Sequence, residues 1–316
     1  MACKQKSTNI IPGMNKSPIS YYGSKHNMLV HILPLIPKHR IYVEPFFGSG
    51  TVFFAKQKAN TEVINDIDDN VVHFYKTLQD PFKVRLLEKK IKQTLCSRTI
   101  FHDCQKIVEN PTDHSSIDRA WAFFVVCIMS FGSKMYTGGW AYGWNSNDTS
   151  HQGKKIRNRI DAFSADLFHR MRHVQIDCLE VNYFLSKMKA SDMFVYLDPP
   201  YISADMGHYA NRYSLGDFVQ TLDILVDAPF KWLMSSYPEH ILLDYVEMFG
   251  WNHEQYDQRL CVSNKYHING KTRRKIECLT WNYDLKNFAV PADEFHKSMK
   301  DKLPTNESYE QKKLML

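Results

Sequence analysis

Asp198-Pro199-Pro200-Tyr201 places a carboxylate, a stiff turn and an aromatic ring in four consecutive residues. Proline locks its own φ, so the carbonyls of such a turn point in fixed directions. A carboxylate beside a carbonyl suits a planar NH₂ group, which offers two protons to acceptors. The tyrosine ring suits the flat face of a base. Taken alone, the same four residues also make an ordinary turn with a solvated Asp, so the surrounding chain has to decide.

The tetrapeptide follows Met193-Phe194-Val195-Tyr196-Leu197, an apolar run of β-formers with the length of a buried strand. Two prolines cannot continue a strand ladder, so the turn falls at the carboxyl end of that strand, where open α/β sheets bind ligands. A second such end is predicted earlier in the chain. Arg40 to Glu44 reads as a strand, Pro45-Phe46-Phe47-Gly48-Ser49-Gly50-Thr51 as a glycine turn, and Val52 to Lys58 as a helix. Gly48 and Gly50 remove side chains where backbone approaches a ligand. The turn lacks the third glycine of a dinucleotide fingerprint and the Gly-Lys-Ser/Thr of a phosphate-binding loop, which leaves a nucleoside ligand without a critical polyphosphate.

Thr61 to Asp68 reads as the next strand, ending in acids. Asp66 is placed to bind ribose hydroxyls, with Ile67 against an adenine ring. The competing role for Asp66 is to cap the helix predicted over Asn70 to Leu78, and neighbouring acids can divide the two tasks. Upstream, Ser17-Pro18-Ile19-Ser20-Tyr21-Tyr22-Gly23-Ser24-Lys25 precedes a helix-like stretch carrying Met28, Leu29, Ile32 and Leu35. A Gly-Ser turn before a helix exposes N–H groups, and Lys25 adds a positive charge, so a carboxylate or phosphate could sit there. A merely solvated lysine is the alternative.

Between residues 80 and 173 the character changes. Phe82 to Thr94 reads as a basic amphipathic helix and Ile117 to Phe131 as a buried one. Phe131 to Asn145 is rich in glycine and aromatic rings and leads toward Lys154-Lys155-Ile156-Arg157-Asn158-Arg159. Lys134, Tyr136, Trp140, Lys154, Lys155, Arg157 and Arg159 are therefore candidate nucleic-acid contacts, the cations for phosphates and the rings for stacking or wedging. The alternative is an aromatic loop packed on the core. Ile160, Phe163, Leu167, Met171 and Val174 mark one further helix stripe. Val174 to Cys178 is then a strand and Tyr183 to Met188 a helix. Ile202 to Ser214 is a loop beside the tetrapeptide, Asp217 to Leu225 a helix, Lys231 to Tyr237 a strand, and His240 to Phe249 a helix. Gln255 to Ser263 and Ile276 to Tyr283 read as paired strands about Asn269-Gly270. The tip of that hairpin is basic through Lys265, Lys271, Arg273, Arg274 and Lys275, which suits phosphates.

The chain has 316 residues, 44% of them hydrophobic, enough for a substantial core in one large domain or two moderate ones. Its formal charge of +6 permits a polyanionic partner. The 7 cysteines are scattered and show no metal spacing, so a reduced, cytoplasmic protein without metal is expected. No apolar run is long enough to span a bilayer, and no signal peptide is expected.

Several separated motifs agree on one family. The chain resembles the Dam-type (alpha-class) adenine-N6 DNA methyltransferases. Pro18 with Tyr21-Tyr22-Gly23-Ser24-Lys25 is similar to that family's N-terminal cofactor motif, and Glu44-Pro45-Phe46-Phe47-Gly48-Ser49-Gly50 to its glycine motif. Asn65-Asp66-Ile67-Asp68 matches its ribose-acid region and Asp198-Pro199-Pro200-Tyr201 its catalytic tetrapeptide. Ser236-Tyr237 and Glu277 to Tyr283 resemble its late strands. The likeness runs from about residue 16 to 284 and rests on motif order as well as on single motifs.

The resemblance implies a Rossmann-like α/β methyltransferase fold with a mostly parallel seven-stranded sheet and an inserted, mainly helical target-recognition domain. Residues 16–80 and 174–284 would form the catalytic domain, 81–173 the DNA-binding insertion, 1–15 a flexible arm and 285–316 a polar tail. S-adenosyl-L-methionine would be the cofactor, with Tyr21, Gly23, Lys25, Glu44, Phe46, Gly48, Gly50, Asp66, Ile67 and Asp198 around it. Duplex DNA would be the partner, with Lys271, Arg273 and Arg274 joining the phosphate contacts. The adenine would be flipped out, stacked on Tyr201, and held through its N6 amine by Asp198 and the Pro199 carbonyl within the Asp198-Pro199-Pro200-Tyr201 turn. A monomer or weak dimer is expected, and a restriction endonuclease acting on the same sites is a partner the family admits. The alternatives are transfer to the N4 amine of cytosine, transfer to RNA or to a protein glutamine, and a catalytically inactive DNA-binding relative.

Overall fold

The computed structural model describes residues 16–21, 23–131, 136, 138–141, 151–202, 213–259 and 274–285. The expected arm, the tail beyond 285, most of the loop after the tetrapeptide, the Asn269-Gly270 turn, and the contacts proposed for Lys134, Lys271 and Arg273 lie outside these residues.

Seven strands form one sheet: β1 (Ile41–Glu44), β2 (Thr61–Asn65), β3 (Gln175–Asp177), β4 (Met193–Leu197), β5 (Lys231–Ser236), β6 (Asn252–Arg259) and β7 (Arg274–Trp281). Their order is β3-β2-β1-β4-β5-β7-β6. The pairs from β3 to β5 are parallel, and β7 runs antiparallel to both β5 and β6. Every residue of β4 is buried, as expected for a parallel strand covered on both faces. The order proceeds outward from β1 on one side and from β4 on the other, so the topology reverses between these two neighbours. That reversal opens a crevice at their carboxyl ends.

Eleven α-helices are described around the sheet. α1 (Leu29–Ile32), α2 (Thr51–Ala55) and α3 (Asp69–Leu78) precede an insertion of α4 (Pro81–Lys92), α5 (Arg98–Glu109), α6 (Ser116–Met129), α7 (His151–Ala162) and α8 (Leu167–Met171). α9 (Val181–Ser186), α10 (Leu215–Val226) and α11 (His240–Phe249) follow. Alternation along β4 divides the core. Phe194 and Tyr196 pack with α3 and the inserted helices, whereas Val195 and Leu197 pack with α9, α10 and α11.

The insertion shares the core of the sheet. Val84, Leu87, Phe101, Phe123, Phe124, Ile160 and Met171 belong to the same buried cluster as Tyr42, Ile64, Phe74 and Phe194. A buried ion cluster adds to this join. Arg170 of α8 pairs with Glu62 of β2, which also takes Lys56 at 2.5 Å, and Arg170 donates to the Phe53 carbonyl at 3.0 Å.

Two expectations are corrected. The stripe from Ile160 to Val174 is two helices rather than one. Ser164 and Asp166 hydrogen-bond to each other at 3.0 and 3.1 Å in the break, giving the backbone a local turn in place of the helix. The helix α5 was not expected. Its buried Phe101, Cys104 and Val108, flanked by Ile100 and Ile107, form an apolar face that packs on the core.

Candidate active site

Two turns meet at the β1/β4 reversal. The first follows β1 and is shaped by its glycines. Gly48 and Gly50 have φ of 47° and 62°, in the left-handed region that favours glycine. A Cβ on Gly50 would lie 2.4 Å from the Phe47 ring. Asp66, just beyond β2, braces the turn from below: one carboxylate oxygen accepts the Gly48 N–H at 2.7 Å and the other the Asp68 N–H at 2.9 Å. Capping of α3 falls to Asp68, which accepts from the Asn70 N–H at 3.0 Å. Ile67 beside Asp66 is 45% exposed, an apolar side chain open to solvent at the strand ends. Phe46 packs edge-on against Tyr213 at 5.4 Å, and Tyr21 lies over Gly48.

The second turn is the tetrapeptide after β4, and Lys25 connects it to the N-terminal motif. The Lys25 ammonium sits 2.7 Å from Asp198, donates to the Gly23 carbonyl at 2.9 Å, and lies 4.8 Å from the centre of the Tyr201 ring. Lys25 is almost completely buried, whereas Asp198 keeps 21% of its side chain open. Tyr201 in turn packs on Tyr237, with ring centres 4.2 Å apart. The Tyr201 hydroxyl is buried and has no hydrogen-bond partner among the described residues.

The electrostatics around the turns are unusual for acids. Burial pushes the Asp198 carboxyl above its ordinary range, while Lys25 pulls it back. Glu44, at the end of β1, is buried deeply enough to be pushed up to about 8, although it accepts a hydrogen bond from Tyr42 at 2.7 Å. Asp198 adds to that rise as a neighbouring like charge.

β7 brings in two groups whose place in this cluster was not expected. Lys275, read from the sequence as a phosphate contact, forms an ion pair with the buried Glu277. Both act electrostatically on Asp198. Lys275, Glu277, Leu279 and Trp281 alternate on one face of β7, and that alternation signals a charged pair entering an apolar face.

Both turns lie within a stretch of the chain that matches one family. A model of D12 class N6 adenine-specific DNA methyltransferases matches residues 21–222. The chain belongs to this D12 class. Among relatives, the modification methylase StsI of Streptococcus sanguinis is 26% identical over 300 residues, covering 86% of this chain and 44% of that protein. The type II methyltransferase M.FokI of Planomicrobium okeanokoites is 23% identical over 302 residues, covering 85% and 43%. A shorter match to the type II methyltransferase M1.LlaDCHI of Lactococcus lactis subsp. cremoris reaches 41% identity over 61 residues, 18% of this chain and 20% of that one. The chain thus spans less than half the length of StsI and M.FokI.

In this D12 chain the sequence-predicted nucleic-acid contacts take different positions. Lys154 and Lys155 are exposed on α7. Arg157 is exposed and paired with Asp161 at 2.9 Å. Arg159 turns inward and donates to the Ser17 carbonyl at 3.2 Å, tying α7 to the N-terminal motif. The Tyr136 hydroxyl donates to Asp68 at 2.6 Å, and Trp140 packs edge-on to Phe101 at 5.7 Å. Both rings anchor their loop to the protein. Arg274 is exposed and paired with Asp257. Among the described residues no cluster of His, Cys, Asp and Glu could hold a metal, and no helix is long and apolar enough to cross a membrane.

Proposed function

We propose that the chain transfers the methyl group of S-adenosyl-L-methionine to the exocyclic N6 of an adenine flipped out of duplex DNA. What carries the reading is the meeting of the glycine turn and the Asp198 turn at the β1/β4 reversal, with Lys25 held against Asp198.

The residues of the first turn fit the cofactor. Asp66, held by the Gly48 and Asp68 N–H groups, presents at the end of β2 the kind of acceptor that ribose hydroxyls need. Exposed Ile67 offers an apolar face to the adenine ring of the cofactor. Glycine at positions 48 and 50 leaves backbone N–H groups without side chains in front of them. Lys25 with nearby backbone amides would meet the methionyl end, and Tyr21, Gly23, Glu44 and Phe46 would complete the cofactor's surroundings. When bound, the cofactor supplies a sulfonium methyl, an electrophile that needs no protein nucleophile.

The second turn prepares the amine. The adenine N6 lone pair is delocalised into the ring and is a poor nucleophile. Asp198 and the Pro199 carbonyl would accept hydrogen bonds from its two N–H groups, which draws the lone pair out of conjugation and aims it; one of those protons leaves once the N–C bond has formed and the S–C pair has stayed on sulfur. Lys25 keeps Asp198 in the ionised, accepting form against the effect of burial. Tyr201 supplies the stacking face. Orientation and charge placement then supply the rate. Lys154 and Lys155 on α7 are the exposed cations best placed to meet phosphates, and the inserted helices are the target-reading region. Because N6 sits inside a duplex, the base must leave the stack, at a cost of a few kcal/mol.

The test is methyl transfer from labelled cofactor to varied duplex DNA, with nucleoside analysis of the product. Label in N6-methyladenine supports the reading; label in N4-methylcytosine, or none, overturns it. Asp198→Ala should lose transfer at least ~100-fold while retaining cofactor binding.

A further inference from the structure

The tetrapeptide is not the only charged element at the catalytic turn. Lys275 and Glu277 lie two apart on β7, so both point to the same face of the sheet. Because β7 is antiparallel to β5, and Cys278 stands opposite Ser236 at the end of β5, the first residues of β7 lie at the edge where β4 ends. Glu277 is 3% exposed, one of its oxygens pairs with Lys275, and the other is buried without a hydrogen-bond partner among the described residues. Nothing in the packing of β7 requires a charge there: its next residues on that face, Leu279 and Trp281, are core. The pair faces the rings at the site, with the Lys275 ammonium 6.0 Å from the centre of the Tyr237 ring and Tyr237 packed at a tilt on Tyr201.

Two ammoniums and two carboxylates thus surround the turn, Lys25 with Asp198 and Lys275 with Glu277. We propose that Lys275 and Glu277 are positioning residues that act on Asp198 with opposite sign, Lys275 favouring its ionised, hydrogen-bond-accepting form and Glu277 opposing it. The inference rests on the role given to Asp198 under the proposed function. A buried carboxylate is costly to keep charged, and each neighbouring charge matters more there than in water. The groups facing Asp198 are Lys25 from the N-terminal motif, Glu277 and Lys275 from β7, Glu44 from β1, and the phenols of Tyr196, Tyr201 and Tyr237. Lys25 stays in place in every variant below, so the changes report on the β7 pair. Burial works against the Lys275 ammonium, but Glu277 outweighs it and holds the ammonium above its ordinary range, so Lys275 remains a cation across the working pH.

The two residues act with opposite sign. Lys275→Met leaves the Glu277 charge unbalanced beside Asp198, which makes Asp198 harder to ionise. Glu277→Gln leaves the Lys275 charge unbalanced, which makes Asp198 easier to ionise. Removing both restores the balance. The experiment follows the Asp198 carboxyl carbon by NMR during pH titration of the full chain labelled with ¹³C-aspartate, assigned by its loss in Asp198→Asn. Expected are an upward displacement of about one pH unit in Lys275→Met, a downward displacement in Glu277→Gln, recovery in Lys275→Arg, and a near wild-type midpoint in the double variant. Midpoints that stay fixed, or move the same way in both single variants, overturn the proposal. This readout needs no catalysis, so it stands apart from failure of the methyl-transfer reading. The acid limb of the kcat profile should move with the midpoints. A purely structural role would lower Tm and kcat at every pH without separating the limbs.

Discussion

Asp198 and Glu44 end adjacent strands, and their protonation differs in what it does. Asp198 retains part of its surface and a cation at 2.7 Å, so it can stay charged. Glu44 is buried beside it and rises to about 8. A carboxyl whose pKa rises on folding takes up a proton as the chain folds. Its contribution to stability therefore falls as pH rises from about 4.5 to about 8. Buried Lys56 moves the other way, from 10.5 down to about 8, so its contribution recovers only above pH 8. The wild type should lose Tm relative to Glu44→Gln between pH 5 and 8, measured by calorimetry on cofactor-free protein. Partial burial lowers His26, His39, His73 and His253 in both proteins alike, so their protonation cancels from the difference. A difference that does not change with pH would contradict protonated Glu44. Tyr201 gives a second contrast. Its hydroxyl has no partner among the described residues, so Tyr201→Phe should retain both stability and transfer. Tyr201→Ala should weaken binding of DNA with an unpaired target base by about 1–3 kcal/mol, the worth of one base stack, as read by fluorescence titration. The tetrapeptide and the glycine turn were legible because prolines and glycines mark strand ends. Glu277 stood in the sequence only as part of a late-strand likeness, because nothing local says which buried acid faces a turn formed by distant residues.

At the scale of elements, the ion cluster of Lys56, Glu62 and Arg170 joins α8 to β2 and to the end of α2. Removing one member of a buried pair leaves an uncompensated charge. Arg170→Met should therefore cost about 3 kcal/mol or more in urea unfolding. Arg157→Ala, which breaks an exposed pair within α7, should cost less than about 0.5 kcal/mol. Equal losses would mean that the buried cluster does not support the join. The strands were readable as apolar runs between turn residues, and α11 as a periodic segment ended by Gly250, whose φ is 64°. The helix α5 was legible in principle, because Ile100, Phe101, Cys104, Ile107 and Val108 repeat with helical spacing. The break between α7 and α8 was hidden because hydrophobic periodicity continues through it, while the turn is made by the short side chains of Ser164 and Asp166.

At the scale of the whole molecule, the formal charge of +6 is modest, so affinity for DNA depends on where cations stand. The Lys154→Ala/Lys155→Ala double variant should lower the slope of log K against log salt by about two, with little change in target preference. Binding isotherms over a salt series measure this, and an unchanged slope would remove α7 from the interface. Tyr136 and Trp140 show why an aromatic, basic loop is ambiguous in sequence: the same rings that could stack on bases here anchor the loop to Asp68 and Phe101.

The core that runs from β4 into α6 also constrains how such a protein can change its target. In an assembly of separable modules, a new reading unit could be transplanted by cutting two linkers. Here a transplant would carry away Phe123, Phe124 and Ile160, which pack with the same cluster as Phe74 and Phe194, together with the guanidinium that covers Glu62. On the proposed reading, in which the inserted helices read the target, new specificity would be reached by substitution on their outer surfaces, while their inner faces are inherited with the sheet.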